Sequence, residues 1–194
     1  MNFGNDICEL NILFELERCL LTNSRVKLVP LDTIHDEYII KWRNEPKLSA
    51  FLFSENTITL ESHRKWYEKY KESDDREEFV IYVIDTNIPI GTIGLSSIDK
   101  ANLKAEYGII IGENDYIGKG YAKEASQLIL KYAFDELHLN KVFLKVFDDN
   151  NRAIGMYNTL GFSIDGILRQ DIFKQGAFHN VIEMSFLKKE WKHV

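Results

Sequence analysis

Two stretches of the chain carry residue types at spacings that suit chemistry. The first is Ile109-Ile110-Ile111-Gly112-Glu113-Asn114-Asp115-Tyr116-Ile117-Gly118-Lys119-Gly120-Tyr121-Ala122. A strand here feeds a glycine turn that opens a helix, and a helix start offers free backbone N–H groups and a positive dipole end to an anion. Glycines let the backbone approach a phosphate where a Cβ would block it. Two phosphate-binding patterns fail on this stretch. A Walker A loop has four residues between its first glycine and Gly-Lys, then Ser or Thr, whereas Gly112 and Gly118 enclose five and Gly120 follows Lys119. A dinucleotide fingerprint needs Gly or Ala where Lys123 stands, and it opens a βαβ unit rather than following a hairpin. A plain helix start with glycines for turning is the other reading of this stretch on its own. The second stretch is Asn150-Asn151-Arg152-Ala153-Ile154-Gly155-Met156-Tyr157-Asn158-Thr159-Leu160-Gly161-Phe162, in which Asn150 and Tyr157, seven apart, share a helix face. Taken alone, a tyrosine at such a position is more often a core aromatic with a tethered hydroxyl.

These stretches need a frame to hold them. The chain has 194 residues, 45% hydrophobic and 12% aromatic, with three prolines, which is enough apolar surface for one folded domain. A formal charge of -6 provides no cationic field for nucleic acid or an anionic membrane, and no apolar run reaches the ~20 residues of a transmembrane helix. Acidic residues interrupt the N-terminal apolar positions, which argues against a signal peptide. Cys8 and Cys19 on one N-terminal helix would lie too far apart for a disulfide, and no zinc ligand set accompanies them. Reduced thiols and a cytoplasmic location are therefore expected.

Residues 1–22 read as an amphipathic helical extension, with a possible dimer contact on its apolar face, and residues 23–194 as the domain. Strands are expected over 25–31, 79–85, 88–98, 104–111, 141–147, 167–173 and 177–187. Helices are expected over 35–44, 60–72 with Thr59 as N-cap, 121–137, and from the Asn150 cap to Gly161. This order predicts an α+β fold with one mixed, mostly antiparallel central sheet flanked by helices.

Residues 25–191 resemble the GNAT superfamily of acetyl-CoA-dependent N-acetyltransferases. Its pyrophosphate loop reads Gln or Arg, two residues, Gly, one residue, Gly or Ala; here it is Asp115-Tyr116-Ile117-Gly118-Lys119-Gly120, with Asp115 departing from the usual cation or amide. The continuation Gly120-Tyr121-Ala122-Lys123-Glu124-Ala125 and the Asn150 to Phe162 block match closely. The resemblance implies acetyl-CoA as cofactor, held by Ile109, Ile111, Ile117, Gly118, Lys119, Gly120, Tyr121 and Ala122, with Asn150 on the pantetheine arm and Arg152 near the phosphates. It implies Glu106 as proton acceptor for the amine and Tyr157 as general acid for the leaving thiolate, with direct transfer and no metal.

A narrower resemblance covers the acceptor half. Trp42-Arg43-Asn44-Glu45-Pro46, Glu61-Ser62-His63-Arg64-Lys65-Trp66, Pro89-Ile90-Gly91 and Ala105-Glu106-Tyr107-Gly108 are similar to the aminosugar N-acetyltransferases of nonulosonic-acid biosynthesis. Ribosomal-protein and polyamine acetyltransferases share parts of the pattern. The implied acceptor is the amine of a nucleotide-linked amino-deoxysugar, contacted by Trp42, Arg43, Asn44, His63, Arg64 and Trp66. Arg43, Arg64 and Lys65 would suit its diphosphate. A polyamine or protein N-terminal acceptor, or a non-catalytic acyl-CoA sensor on the same fold, are the alternatives.

Overall fold

The structure, a computed structural model, describes residues 21–191. The expected N-terminal helix and both cysteines therefore lie outside the described residues, except for Leu21, which is buried, and Thr22, which bridges Lys27 in extended conformation rather than helix. Alternating apolar positions generate β1 (Val26–Pro30), β2 (Glu77–Val83), β3 (Ile88–Asp99), β4 (Lys104–Ile111), β5 (Lys141–Phe147), β6 (Ser163–Lys174) and β7 (Ala177–Leu187). They form one sheet in the order β1-β2-β3-β4-β5-β7-β6, antiparallel throughout except for β4 beside β5. The expected α+β fold with a mostly antiparallel sheet is the one observed.

The helices are α1 (Asp36–Asn44), α2 (Pro46–Ser49), α3 (Leu60–Glu72), α4 (Tyr121–Lys131) and α5 (Asn151–Leu160). Local chemistry sets their ends. Thr59 accepts from Ser62 N at 3.1 Å while Ser62 Oγ accepts from Thr59 N at 2.9 Å, a reciprocal cap on α3. Asn150 caps α5 through Ala153 N, and Gly161 ends it at φ +107, a left-handed conformation that glycine adopts without strain. The Pro46 that ends α1 also starts the one-turn α2, which the sequence reading missed, because proline suits the first turn of a helix. The expected long helix is α4 followed by a wider π turn, Tyr132–Glu136, within which neighbouring Ala133 and Phe134 are both fully buried.

Each face of the sheet has its own core. Phe79, Ile81 and Val83 of β2 join Ala125, Ile129 and Phe134 on one side, while Val80 joins Leu31, Ile39, Trp42 and Tyr67 on the other. Between the halves of the sheet the ladder is incomplete. β4 and β5 pair only at Lys104↔Lys141, Ala105↔Val142 and Glu106↔Phe143, after which each strand runs on beside its outer neighbour alone. The sheet therefore splits.

Trp42 locks α1 onto the end of β4. Its indole is 1% exposed, Nε1 donates to Glu113 Oε1 at 2.8 Å, and the ring lies against Gly112, where a Cβ would stand 2.0 Å from Trp42 Cγ. A side chain there is overpacked against a ring that has no room to retreat. Gly112→Ala should cost about 2 kcal/mol or more by urea denaturation; wild-type stability would show that the contact yields freely.

Candidate active site

The split positions backbone before it positions any side chain. The Leu103 carbonyl accepts from Asn140 N at 2.7 Å and Lys141 N at 3.1 Å, so it points towards β5, while Gly112 N donates to Ile90 O at 2.8 Å, towards β3. Backbone polar groups alternate along a strand, so odd positions of β4 face β5 and even ones face β3. Past Glu106, the N–H and C=O groups of Ile109 and Ile111 thus face the gap without a strand partner. The gap opens into a cavity of about 550 Å³.

One end of the cavity suits a diphosphate. Gly118 and Gly120 have φ of +77 and +89, and the turn they form leads into α4. The first bond of that helix runs from Glu124 N to Gly120 O at 3.1 Å, leaving the preceding N–H groups of Tyr121, Ala122 and Lys123 free of helical partners. Arg152 reaches this turn, with Nη2 3.8 Å from the position of a Gly118 Cβ, and Lys123 and Lys145 line the same cavity. Ile109, Ile111, Ile117, Gly118, Gly120 and Ala122 all line it. Lys119 is instead exposed, and its carbonyl accepts from both Arg25 Nη atoms at 3.3 Å. Tyr121 packs against Tyr116 and beneath the Arg25 guanidinium. Arg25, which the sequence reading passed over, also pairs with Glu124 through Nε at 2.7 Å and so ties β1 to the glycine turn.

Tyr157 on α5 lines the cavity, its ring edge-on to Tyr107 at 6.0 Å. Burial pushes its phenol up to about 12, so it keeps its proton at any working pH. Tyr107 is itself fixed: Ser126 Oγ donates to Ala122 O at 2.7 Å, so it accepts from the Tyr107 hydroxyl at 2.6 Å. Asn150 lines the cavity, but its side-chain oxygen is committed to the α5 cap, which leaves its amide N–H groups for a ligand.

The other end is a floor of charges under an apolar wall. Glu106 and Glu78 line it from the sheet, Arg43 from α1, and Leu48, Phe51, Leu52 and Phe53 from the segment after α1. Glu78 lies across β3 at Gly94, where a Cβ would come 2.5 Å from its Oε2. Burial pushes the Glu78 carboxyl up to about 7, against the pull of Arg76 and Arg43. Arg43 Nε is buried with no hydrogen-bond partner among the described residues, and burial lowers that guanidinium's pKa. Glu78 was not singled out from the sequence; no local signal marks it, since its burial depends on a glycine one strand away.

Of the six expected acceptor contacts, Arg43 alone reaches this cavity. Trp42 is core. Asn44 is spent on the loop before α3, exchanging bonds with Ile58 O at 2.7 Å and Ile58 N at 2.8 Å. His63 is buried 3.4 Å from Asp36, its imidazole pKa lowered chiefly by burial, and it stacks on Trp66. Trp66 stacks in turn on Tyr70, and Arg64 Nε donates to Asp36 Oδ2 at 2.9 Å. These residues fasten α3 to α1.

A free strand edge, a glycine turn at a helix start and a buried hydroxyl lining one cavity fit an acyl-pantetheine diphosphate. The comparisons agree: residues 25–163 match the acetyltransferase (GNAT) domain family, and the chain belongs to it. It is an acetyl-CoA-dependent N-acetyltransferase of that family. The spermidine N(1)-acetyltransferase of Escherichia coli K12 is 30% identical over 166 residues, 86% of this chain and 88% of the relative. The crystal structure of Vibrio cholerae spermidine N-acetyltransferase, in complex with CoA and spermine, superimposes with a TM-score of 0.82 at 27% identity, covering 87% of this chain and 98% of that one. Acetyltransferase PseH of Campylobacter jejuni is 30% identical over a shorter 128 residues, 66% of this chain and 76% of the relative.

Gly120 tests the cradle. At φ +89, with Arg25 Nη2 3.0 Å from a Cβ position, Gly120→Val must reshape the turn. Its acetyl-CoA affinity should fall at least about tenfold in calorimetry while the protein stays folded. Unchanged affinity in the folded variant would remove this turn from the cofactor site.

Proposed function

We propose that the chain transfers the acetyl group directly to a primary amine of an aliphatic polyamine of the spermidine type. The observation that carries this reading is one cavity in which the split strand edge and Tyr157 meet two carboxylates and an aromatic wall. Alkyl segments suit Phe51, Leu52 and Phe53, and ammonium groups suit Glu78 and Glu106. The relatives named for spermidine support it across most of their length.

The aminosugar expectation rested on the resemblance of the acceptor half, with Arg43, Arg64 and Lys65 offered for the diphosphate. Arg64 pairs with Asp36 and Lys65 pairs with Glu61 on an exposed helix face, so of the three only Arg43 lines the cavity, which is no cationic cluster for a sugar diphosphate. Polyamine chemistry is therefore preferred.

Bound acetyl-CoA supplies an acetyl thioester. Glu106 takes the proton that the amine loses as its nitrogen attacks the acetyl carbon. Backbone N–H groups at the free edge, around Ile111, stabilise the charge that develops on the carbonyl oxygen. Tyr157 donates its O–H to the sulfur as the C–S bond breaks. With a pKa of about 12 against ~8.5 for a thiol, it holds its proton more tightly than the departing group would, so its part is a hydrogen bond strengthened in the transition state. Glu78 holds a cationic site of the acceptor. Its carboxylate form dominates only above about pH 7.

Acetyl transfer followed with radiolabelled acetyl-CoA across spermidine, spermine, UDP- and dTDP-aminosugars and N-terminal peptides tests the reading. Spermidine should be turned over, with kcat/KM rising through about pH 7, and Glu78→Gln should remove that rise while keeping acetyl-CoA affinity. Turnover of an aminosugar or peptide with none of either polyamine would overturn the acceptor; binding of acetyl-CoA without transfer to any of the panel would indicate a sensor.

A further inference from the structure

The wall of the acceptor cavity is held by a buried cation from the far half of the sheet. Lys174, the last residue of β6, is 4% exposed, and its ammonium donates to the carbonyls of Ser49 at 2.6 Å, Ala50 at 2.9 Å and Leu52 at 2.5 Å. An ammonium has three N–H donors, so these carbonyls use all of them. None of the three belongs to a strand. They belong to the last residue of the one-turn helix α2 and to the residues just after it, where a helix leaves carbonyls that need partners from elsewhere.

The same hairpin tip makes further contacts with this segment. Gln175 N donates to Glu55 Oε1 at 3.0 Å, the Lys174 ammonium lies 5.5 Å from the Phe147 ring, and Phe53 sets its edge on that ring at 4.9 Å. Phe51 and Phe53 are nonetheless 49% and 37% exposed, so packing alone fixes the wall weakly. The carboxylate floor belongs to β2 and β4 on one side of the split, whereas Lys174 and Phe147 belong to β6 and β5 on the other.

We propose that Lys174 is a positioning residue for the acceptor: by binding the Ser49, Ala50 and Leu52 carbonyls it sets the spacing between the Phe51 and Phe53 wall and the Glu78 and Glu106 floor. Removing it should loosen the wall and spare the chemistry, because Lys174 is not among the residues that line the cavity. The inference rests on reading this cavity as the acceptor site.

Lys174→Met keeps much of the side-chain volume and loses every donor; Lys174→Arg keeps donors. In Lys174→Met, acceptor KM with spermidine should rise about tenfold or more, kcat should stay within about threefold, and calorimetric acetyl-CoA affinity should not change. Hydrogen exchange of the peptide spanning 48–53 should quicken by about tenfold or more, and Lys174→Arg should recover most of both effects. Wild-type exchange in Lys174→Met, or quickened exchange with unchanged acceptor KM, would overturn the proposal. If the wild-type protein acetylates an amine other than spermidine, the polyamine reading fails by itself, and the same comparison with that amine decides for Lys174. Should Lys174→Met not fold, Glu55→Ala loosens the same wall from its exposed side; a rise of about threefold in acceptor KM supports the latch, and no change overturns it.

Discussion

The parallel ladder between β4 and β5 lasts three residue pairs, and the rest of the site depends on where it stops. Each strand keeps its outer neighbour, so parting them leaves only one backbone edge of each unpaired. Buried backbone groups need partners, and an edge opening into a cavity invites an extended amide-bearing ligand to supply them. Both parted strands then lead directly into the helices of the site. β4 ends at Ile111 and the chain turns through Gly118 and Gly120 into α4; β5 ends at Phe147 and Asn150 starts α5, which carries Tyr157. The glycine turn and Tyr157 therefore line one cavity, the one that the parted strands open into.

Several tertiary contacts hold the opening in shape. Tyr107, Ser126 and the Ala122 carbonyl form a hydrogen-bonded chain from β4 to the first turn of α4, and the Tyr107 ring abuts Tyr157. Leaving a buried hydroxyl unpaired costs about 1–3 kcal/mol, so this chain resists any shift of the helix start against the strand. Arg25 fastens β1 to the glycine turn from outside, and Trp42 fills the space above Gly112. The end of the cavity at the glycine turn is thus tied to its surroundings by several contacts. The opposite end has fewer, since its aromatic wall is exposed and anchored mainly at its carbonyls.

Locally encoded features were legible in the sequence, and those made by distant partners were not. The alternation at Lys104–Ile111, the Thr59 cap, the Asn150 cap and the Gly161 stop each needs only near neighbours, and each stands where the sequence places it. The glycine turn was legible for the same reason. Trp42 and Arg43 illustrate the limit: adjacent residues on a helix point about 100° apart, so one enters the core and the other the cavity. Residue type does not say which. Glu78 reaches the cavity because Gly94 on the neighbouring strand makes room for it, and Lys174 is buried because it binds carbonyls more than a hundred residues earlier in the chain. His63, Arg64 and Trp66 suit a binding site by type, yet they form the seam between α3 and α1.

The central claim, that the free edge of β4 and the start of α4 together receive the cofactor, is tested most directly by residue-resolved amide exchange measured by NMR with and without coenzyme A. The account predicts slowed exchange at Ile109, Ile111 and Gly118 to Lys123, with little change at Gly112, whose N–H is already bonded to Ile90 O. Saturating coenzyme A with protection elsewhere and none at these amides would contradict it.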